Sequence, residues 1–325
     1  MKKIISYVLC LMLLLVPLSG VSMAEENEWK PESTISWIIP YGAGGQSDLC
    51  VRILAEKMGA IMGATIVPEN KAGGGGTIAA DYVVRQKGDG YTITMGNLAM
   101  NGIQLATDST IPYNNDDFTF ICMYLRQVPI IVVRSDSPYA TLKDLIAGAK
   151  ENPGMISYCT SGAGTSLHFI GELVQQAADV LLTHIPYASG SEMAAALLGG
   201  HVDMGVFMPA DAKALLESGD FRALAVTSSE RVPEFPDVPC LAEEGYPTAC
   251  MTSWHGIVGP AGIPEEAVKT LAAACEKALQ DPEVISLFES LNVTPYYLGP
   301  EELRAYVYEQ APLLMDIAVS ANLRD

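Results

Sequence analysis

The chain is organised around the segment WIIPYGAGGQSD, residues 37–48. The apolar run over residues 35–39 is typical of a buried strand, and the proline after it ends the strand because it has no N–H for a strand ladder. Apolar residues at helical spacing over residues 49–58 then predict a helix with Ser47 or Asp48 as its N-cap. A strand, a glycine loop and a helix start aim free backbone N–H groups at one spot, which suits an anion. The same pattern also fits a tight connection that binds nothing.

Two further strands extend this first block. They are predicted at residues 64–68 and 91–95, and the glycine loop KAGGGG, residues 71–76, leads from the first of them into a helix capped by Thr77. The order βαβαβ predicts a parallel sheet flanked by helices, with ligand sites beyond the carboxyl ends of the strands. Gly76 and Asn97 therefore fall at the same edge as the first glycine loop.

A second block repeats the order of strand, glycine loop and helix. The loop TSGAGTS, residues 160–166, follows a predicted strand and opens a helix, and Tyr187 follows the next strand. Asp203 is either a turn residue or an acceptor on the ligand side. Two such blocks predict an α/β protein with two facing domains, each a mostly parallel sheet flanked by helices. The predicted domains are residues 25–127 with 254–325 and residues 128–253.

The N-terminus reads as a signal peptide, residues 1–24. Lys2 and Lys3 precede an apolar run over residues 4–18, and small residues at Ser22 and Ala24 predict cleavage after Ala24. The run is short for a bilayer span, although an uncleaved membrane anchor remains the alternative. We therefore expect a protein exported to the periplasm.

Charge and cysteine content argue against several classes of function. The 325-residue chain carries a formal net charge of −19, which argues against nucleic acid and anionic lipid as partners. Four scattered histidines and the absence of CxxC argue against zinc, and no cofactor is predicted. An oxidising compartment would allow cysteines to pair, and Cys240 with Cys250 is the first pair expected. The sequence leaves the connectivity open among Cys50, Cys122, Cys159, Cys240, Cys250 and Cys275.

Catalytic motifs do not match. The pair Gly162 and Gly164 begins like a dinucleotide fingerprint, but Leu167 stands where the third glycine would be. The chain contains no P-loop and no G-x-S-x-G elbow. Ser166 and His168 lie two apart on a helix start and face different ways, so Ser166 is predicted to be a cap or a ligand donor and His168 a surface or packed residue. We expect no enzyme, and a secreted α/β hydrolase-like enzyme is the alternative.

Several short motifs in a fixed order carry a family resemblance. The first is Pro40-Tyr41-x-x-Gly44-Gly45-x-x-Asp48-x-x-x-Arg52, and the others include Gly162-x-Gly164-Thr165-Ser166-x-His168, Pro186-Tyr187, Val202-Asp203 and Trp254-x-Gly256. With these residues the chain resembles the substrate-binding proteins of tripartite tricarboxylate transporters, the Bug family, over nearly its whole mature length. Tyr41 stands where the family usually has Phe, and Gly74-Gly75 lengthens the second loop.

The resemblance implies a periplasmic two-domain clamshell of the type II binding-protein fold. It implies a small organic acid or other carboxylate as ligand, held by loop N–H groups, hydroxyls and water, and a two-subunit membrane permease as partner. We expect a monomer, and a ligand-sensing adaptor without a transport role remains an alternative. The predicted ligand-binding residues are Tyr41, Gly44, Gly45, Gln46, Gly76, Asn97, Ser161, Gly164, Thr165, Ser166, Tyr187 and Asp203.

Overall fold

The structure, a computed structural model, describes residues 29–187 and 189–324. The predicted signal peptide lies outside the described residues. The strands are β1 (Ile35–Ile39), β2 (Ile66–Asn70), β3 (Thr92–Asn97), β4 (Phe118–Gln127), β5 (Ile130–Arg134), β6 (Ser157–Thr160), β7 (Thr183–Pro186), β8 (Met204–Phe207), β9 (Phe221–Val226), β10 (Ser253–Pro260) and β11 (Pro295–Leu298). The helices are α1 (Gln46–Met62), α2 (Thr77–Val84), α3 (Gln104–Thr107), α4 (Leu142–Glu151), α5 (Ser166–Ala178), α6 (Gly190–Leu198), α7 (Pro209–Glu217), α8 (Glu265–Leu279), α9 (Pro282–Ser290) and α10 (Pro300–Ser320).

The strands form two separate mixed sheets. The first has the order β11-β4-β10-β3-β1-β2, and within it β1 runs parallel to β2 and β3 while β10 runs antiparallel to β3 and β4. The second has the order β7-β6-β8-β5-β9, with β6 parallel to β7 and β8 and with β5 antiparallel to its neighbours. Helices flank both sheets, so the predicted two-domain α/β fold is confirmed, but the sheets are mixed and not mostly parallel as predicted, because β4, β10 and β11 in the first sheet and β5 in the second pair antiparallel with their neighbours.

The chain crosses between the two sheets twice. Both crossings lie at the edge of each sheet where the parallel strands end and the loops to the helices begin. β4 ends at Gln127 beside Ser253, at the edge where β3 ends, and β5 begins at Ile130 beside Phe207, the last residue of β8. Three peptide units separate Gln127 from Ile130, so their Cα atoms are at most about 11 Å apart. The return crossing leads from Val226, which pairs with Ile130, to Ser253. The loops after β1 and β3 therefore face the loops after β6 and β8.

The core packs against the inner faces of these sheets. On α1, Cys50, Val51, Leu54 and Met58 are fully buried, and their spacing of one, three and four residues places them on one helical face against the sheet. Gly63 ends this helix in the left-handed conformation with φ 65°, which glycine adopts without strain. Helix α1 is thereby fixed with its first turn at the ligand-side edge.

Helix starts differ from the predicted caps. α1 begins at Gln46 with Gly45 as N-cap, and α2 begins at Thr77 with Gly76 as N-cap, so the predicted caps Ser47 or Asp48 and Thr77 were wrong. The reason is that the last glycine of each loop adopts a non-helical conformation, and the next residue is already helical. The glycine loops after β1 and β2 therefore lead directly into helix N-termini.

The cysteines are free thiols in the described chain. The predicted pairing of Cys240 with Cys250 is absent, since all six described cysteines are unpaired. The Sγ atom of Cys250 instead lies 3.1 Å from the carbonyl oxygen of Ser228. Among the described residues, no helix has both the length and the apolar content to cross a membrane.

Candidate ligand-binding site

A buried carboxylate holds the first glycine loop. Asp48 is only 2% exposed; its Oδ2 accepts the Gly44 N–H at 2.8 Å, and its Oδ1 accepts Asn70 Nδ2 at 2.8 Å. Arg52 Nε donates to Asp48 Oδ2 at 2.9 Å, and Asn70 Nδ2 also donates to the Tyr41 carbonyl at 2.9 Å. The Arg52 guanidinium is the largest of the influences that lower the pKa of Asp48 to about 2. Asp48, Arg52 and Asn70 thus shape the loop.

An equivalent hydrogen bond holds the glycine loop of the second domain. The N–H of Gly164 donates to His168 Nδ1 at 3.0 Å, as the Gly44 N–H does to Asp48. In both loops the acceptor lies four residues after the glycine, on the third residue of the helix. The N–H groups of Gly44 and Gly164, both predicted ligand donors, are therefore occupied within the protein.

Gln46 also has an occupied side chain. Its Nε2 donates to the Leu291 carbonyl at 2.8 Å, and its Oε1 accepts from Gln127 Nε2 at 3.2 Å. These bonds tie the start of α1 to the end of β4 and to the turn after α9. Its backbone N–H, like that of Ser47, belongs to the first turn of a helix, where no intrahelical acceptor exists. Gln46 can therefore contact a ligand through its backbone.

Asn97 and Tyr41 form a polar pair at the end of β3. Asn97 is 2% exposed; its Oδ1 accepts the Met100 N–H at 2.9 Å, and its own N–H donates to Asn101 Oδ1 at 3.2 Å. Its Nδ2 is buried and has no acceptor at hydrogen-bonding distance and angle within the described chain. Burial raises the pKa of Tyr41, and the adjacent Asn97 side chain opposes that rise. A buried donor without an acceptor is costly, so Asn97 Nδ2 is a strong candidate for a ligand contact.

Gly76 serves packing and turn geometry. Its φ is +108°, and an added Cβ would lie 3.4 Å from Pro40 Cβ and 3.5 Å from Met100 Cβ. Its N–H donates to the Gly73 carbonyl at 3.0 Å. Gly76 therefore brings the second glycine loop close to the end of β1.

In the second domain, the loop after β6 contains hydroxyls that bond within the protein and hydroxyls that do not. Thr165 is the N-cap of α5: its Oγ1 accepts the His168 N–H at 3.4 Å and donates to the Gly162 carbonyl at 2.8 Å. The hydroxyls of Ser161 and Ser166 have no partner within residues 29–187 and 189–324. Ser161 and Ser166 are therefore the free donors of this loop.

Two further predicted residues lie at opposite edges of the second sheet. Tyr187 follows β7, and its N–H donates to the Thr160 carbonyl at 2.9 Å, which keeps it beside the loop after β6. Asp203 precedes β8, and its Oδ2 accepts both the N–H and the hydroxyl of Ser157 at 2.7 Å. Since Ser157 is the first residue of β6, Asp203 lies at the edge away from the glycine loop and acts as a turn residue.

Two cavities, of about 440 and 610 Å³, lie where the two domains meet. Within the first domain Arg126 stacks on the Tyr296 ring at 3.9 Å, while across the groove its Nη2 lies 3.7 Å from Glu230 and Thr294 donates to Glu234 at 2.5 Å. The residues lining both cavities include Pro209, Glu234, Phe235, Asn292, Val293 and Thr294, but none of the glycine-loop residues. In the described part of the chain, no group of three or more His, Cys, Asp or Glu side chains could hold a metal ion.

The predictions from sequence missed the supporting residues. Asp48 and Arg52 are spaced as an i, i+4 ion pair on a helix start, a signal that was readable. Asn70 is the last residue of β2, and nothing local indicates that it bridges Asp48 and the Tyr41 carbonyl. Gln127 lies 81 residues from Gln46, so their contact follows from the fold alone.

Known proteins are similar to this chain in sequence and in fold. A sequence profile described as tripartite tricarboxylate transporter family receptor matches residues 50–318. The protein BugT of Bordetella pertussis is 30% identical over 296 residues, 90% of each chain. A TctC solute-binding protein from Polaromonas, solved without ligand, superimposes with a TM-score of 0.84 at 26% identity, over 89% of this chain and 99% of that one. MatC from Rhodopseudomonas palustris, with bound malate, gives a TM-score of 0.69 at 27% identity, over 89% and 99%.

BugT and the two solved structures align with 89–90% of this chain, the profile match begins at residue 50, after the first glycine loop, and the resemblance seen in the sequence motifs is confirmed. The matched proteins are solute-binding receptors rather than enzymes. The chain therefore belongs to the tripartite tricarboxylate transporter receptor family, the family of the Bug substrate-binding proteins.

Proposed function

We propose that this protein captures a small carboxylate in the cleft between its two domains and delivers it to a tripartite tricarboxylate-type transporter. The observation that carries the proposal is the pair of helix starts, α1 and α5, on two sheet edges that the crossings bring face to face. The malate bound by the related MatC supports the ligand class. An anion is stabilised by free N–H groups at a helix start, so the cleft needs no cationic side chain.

On the first domain, the proposed contacts are the N–H groups of Gly45 and Gln46 with Asn97 Nδ2 and the Tyr41 hydroxyl. On the second domain, they are Ser161, Ser166 and Tyr187. The remaining predicted residues shape the loops: Gly44 and Gly164 through their occupied N–H groups, Gly76 through packing and Thr165 as a cap. Asp203 is not among the proposed ligand contacts, because it lies at the edge of the second sheet away from the glycine loop.

We also propose where the protein is located, its oligomeric state and its membrane partner. We propose export to the periplasm, a monomeric binding protein and a permease with two subunits as the partner, which would suit a receptor of the tripartite tricarboxylate transporter family. The proposed division at residues 127–128 and 253–254 follows the two sheets, because no strand is shared between them. Contacts from both domains to one ligand would favour a closed clamshell.

Malate is the first probe for this function. At 100 times its dissociation constant, a ligand stabilises the native state by about 2.7 kcal/mol, so the melting temperature should rise and small-angle scattering should show a smaller radius of gyration. Malate recovered unchanged would separate a binder from an enzyme. If neither malate nor a panel of mono- and dicarboxylates shifts the melting temperature, carboxylate capture is contradicted.

Thr165→Ala and Ser166→Ala should have different effects although the residues are adjacent. Thr165→Ala removes the N-cap of α5 and should lower the free energy of unfolding by about 1 kcal/mol. Ser166→Ala removes a hydroxyl with no partner inside the protein, so stability should hold while the binding free energy weakens by about 0.5–1.5 kcal/mol. Denaturant unfolding and titration calorimetry separate the two effects. Equal destabilisation by both variants would contradict the assignment of Thr165 as the cap.

A further inference from the structure

Two histidines stack directly beneath the glycine loop of the second domain. The ring of His168, on α5, lies 3.8 Å from the ring of His184, on β7, with an angle of 14° between the planes. His168 is 6% exposed, and the centroid of the Tyr158 ring lies 4.9 Å from that of His184. This imidazole pair has no counterpart beneath the loop of the first domain, where Asp48 occupies the equivalent position.

Each histidine is bonded to one end of the loop. His168 Nδ1 accepts the Gly164 N–H at 3.0 Å, and His184 Nε2 lies 2.7 Å from the Thr160 hydroxyl. The hydroxyls of Thr160 and Thr165 both donate to the Gly162 carbonyl, at 3.1 and 2.8 Å. Because an acceptor nitrogen carries no proton, His168 is neutral in this arrangement and its proton is on Nε2.

Protonation would remove the bond to the loop. A charged imidazole carries a proton on both nitrogens, so His168 could no longer accept the Gly164 N–H. Glu172 Oε1 lies 3.5 Å from His168 Nε2 and favours that charge. Burial raises the pKa of Glu172, but hydrogen bonds from His168, Tyr158 and Gln175 outweigh it and lower the pKa. The carboxylate is thus ionised beside the imidazole.

The stacked pair can hold one charge far more readily than two. Burial, followed by repulsion from a charged His168, lowers the pKa of His184 to about 4. The titratable groups that contact His168 are Glu172 on its own helix, His184 on β7 and Tyr158 on β6. The neighbouring β8 and the turn Pro247–Ala249 contain no titratable residue. On α10, which also packs on α5, Glu302 and Tyr308 bond to Gly299 and Asp116 in the first domain.

We propose that His168 is a positioning residue whose neutral Nδ1 holds the Gly164 loop in its binding conformation, and that protonation releases the loop and weakens ligand binding. The first domain performs the same task with Asp48, which stays charged through the physiological range, so that only the loop of the second domain responds to pH. The effect on ligand affinity rests on the proposed function, whereas the effect on the loop does not.

The loop is tested without a ligand. Hydrogen exchange of the Gly164 amide, corrected for its intrinsic rate, should accelerate about tenfold between about pH 8 and about pH 5.5, because histidine is the side chain that gains a proton in this interval. In His168→Asn the Asn oxygen can accept the same N–H but does not titrate, so protection should persist at both values. His201→Gln, at an exposed histidine, is the matched control and should behave as the wild type. A pH response that survives in His168→Asn, or no response in the wild type, would overturn the proposal.

Ligand affinity gives the second readout, with malate as the probe. Wild-type affinity should fall about two- to tenfold over the same interval, the value of one lost hydrogen bond, while the affinity of His168→Asn stays level. If malate binds neither protein at any pH, the proposed ligand class fails, and the exchange result still decides the role of His168. If malate binds the wild type with equal affinity at both values, His168 does not position the loop for binding.

Discussion

Asp48→Asn is expected to lower the free energy of unfolding by about 2 kcal/mol at neutral pH, the largest effect on stability predicted for a single residue of the site. The change removes the charge that Arg52 pairs with and turns one acceptor oxygen into a donor that faces other donors. Gly44, Asn70 and Arg52 all donate to this carboxylate, so the loop loses its support as well. Urea unfolding at about pH 7 measures the difference.

The pH dependence of this effect has a definite sign. The pKa of Asp48 falls from 3.8 to about 2 on folding, so its contribution is fully present above the unfolded value and disappears as the pH drops through about 2. The gap in stability between wild type and Asp48→Asn should therefore stay constant above about pH 5 and shrink near about pH 3. A gap that does not change with pH would show that shape, not charge, is responsible.

Asp81→Asn is the matched control. Asp81 and Arg85 form an i, i+4 pair with an N–O distance of 2.6 Å, similar to that of Asp48 and Arg52, but the Asp81 side chain is 37% exposed. Exposed pairs of this kind contribute little because solvent screens them and both side chains lose freedom. Asp81→Asn should thus cost much less than Asp48→Asn. Equal costs would contradict the role assigned to the buried network.

Local signals in the sequence were sufficient for the fold and for the position of the loops. The apolar run before Pro40, the glycines after it and the helical spacing beyond them are adjacent in sequence, so β1 and α1 appear where predicted. The repeat of that order at Ser161 to Ser166 similarly indicated the second domain. The sequence places each loop after a strand, and parallel strands bring such loops to one edge.

The roles of individual residues could be predicted less well from the sequence. Whether a loop N–H is free depends on side-chain geometry: Gly44 and Gly164 looked like ligand donors, yet a residue four positions later accepts each N–H. The sequence left Asp203 open between a turn residue and a ligand-side acceptor, and only the structure shows that it precedes β8 and bonds to Ser157 at the start of β6.

Gln46→Pro is expected to weaken the binding of a carboxylate about ten- to a hundredfold, the value of a hydrogen bond to a charged group. Gln46 is the first residue of α1, a position where proline is well tolerated because its fixed φ suits the helix and its missing N–H has no intrahelical partner. Gly45 before it has φ −77° and ψ 165°, an extended conformation compatible with a following proline. The substitution therefore removes one backbone donor while the helix remains.

Gln46→Ala is the control that isolates this donor. Both variants lose the side-chain bonds to Leu291 and Gln127, but only the proline loses the N–H. The two proteins should unfold at similar denaturant concentrations, and calorimetry with malate should find Gln46→Pro the weaker binder by the stated factor. If the two affinities are equal while the wild type binds malate, the anion is not held at the start of α1. The contacts would then have to come from Asn97 and the second-domain loop, where Ser161 and Ser166 supply the free hydroxyls.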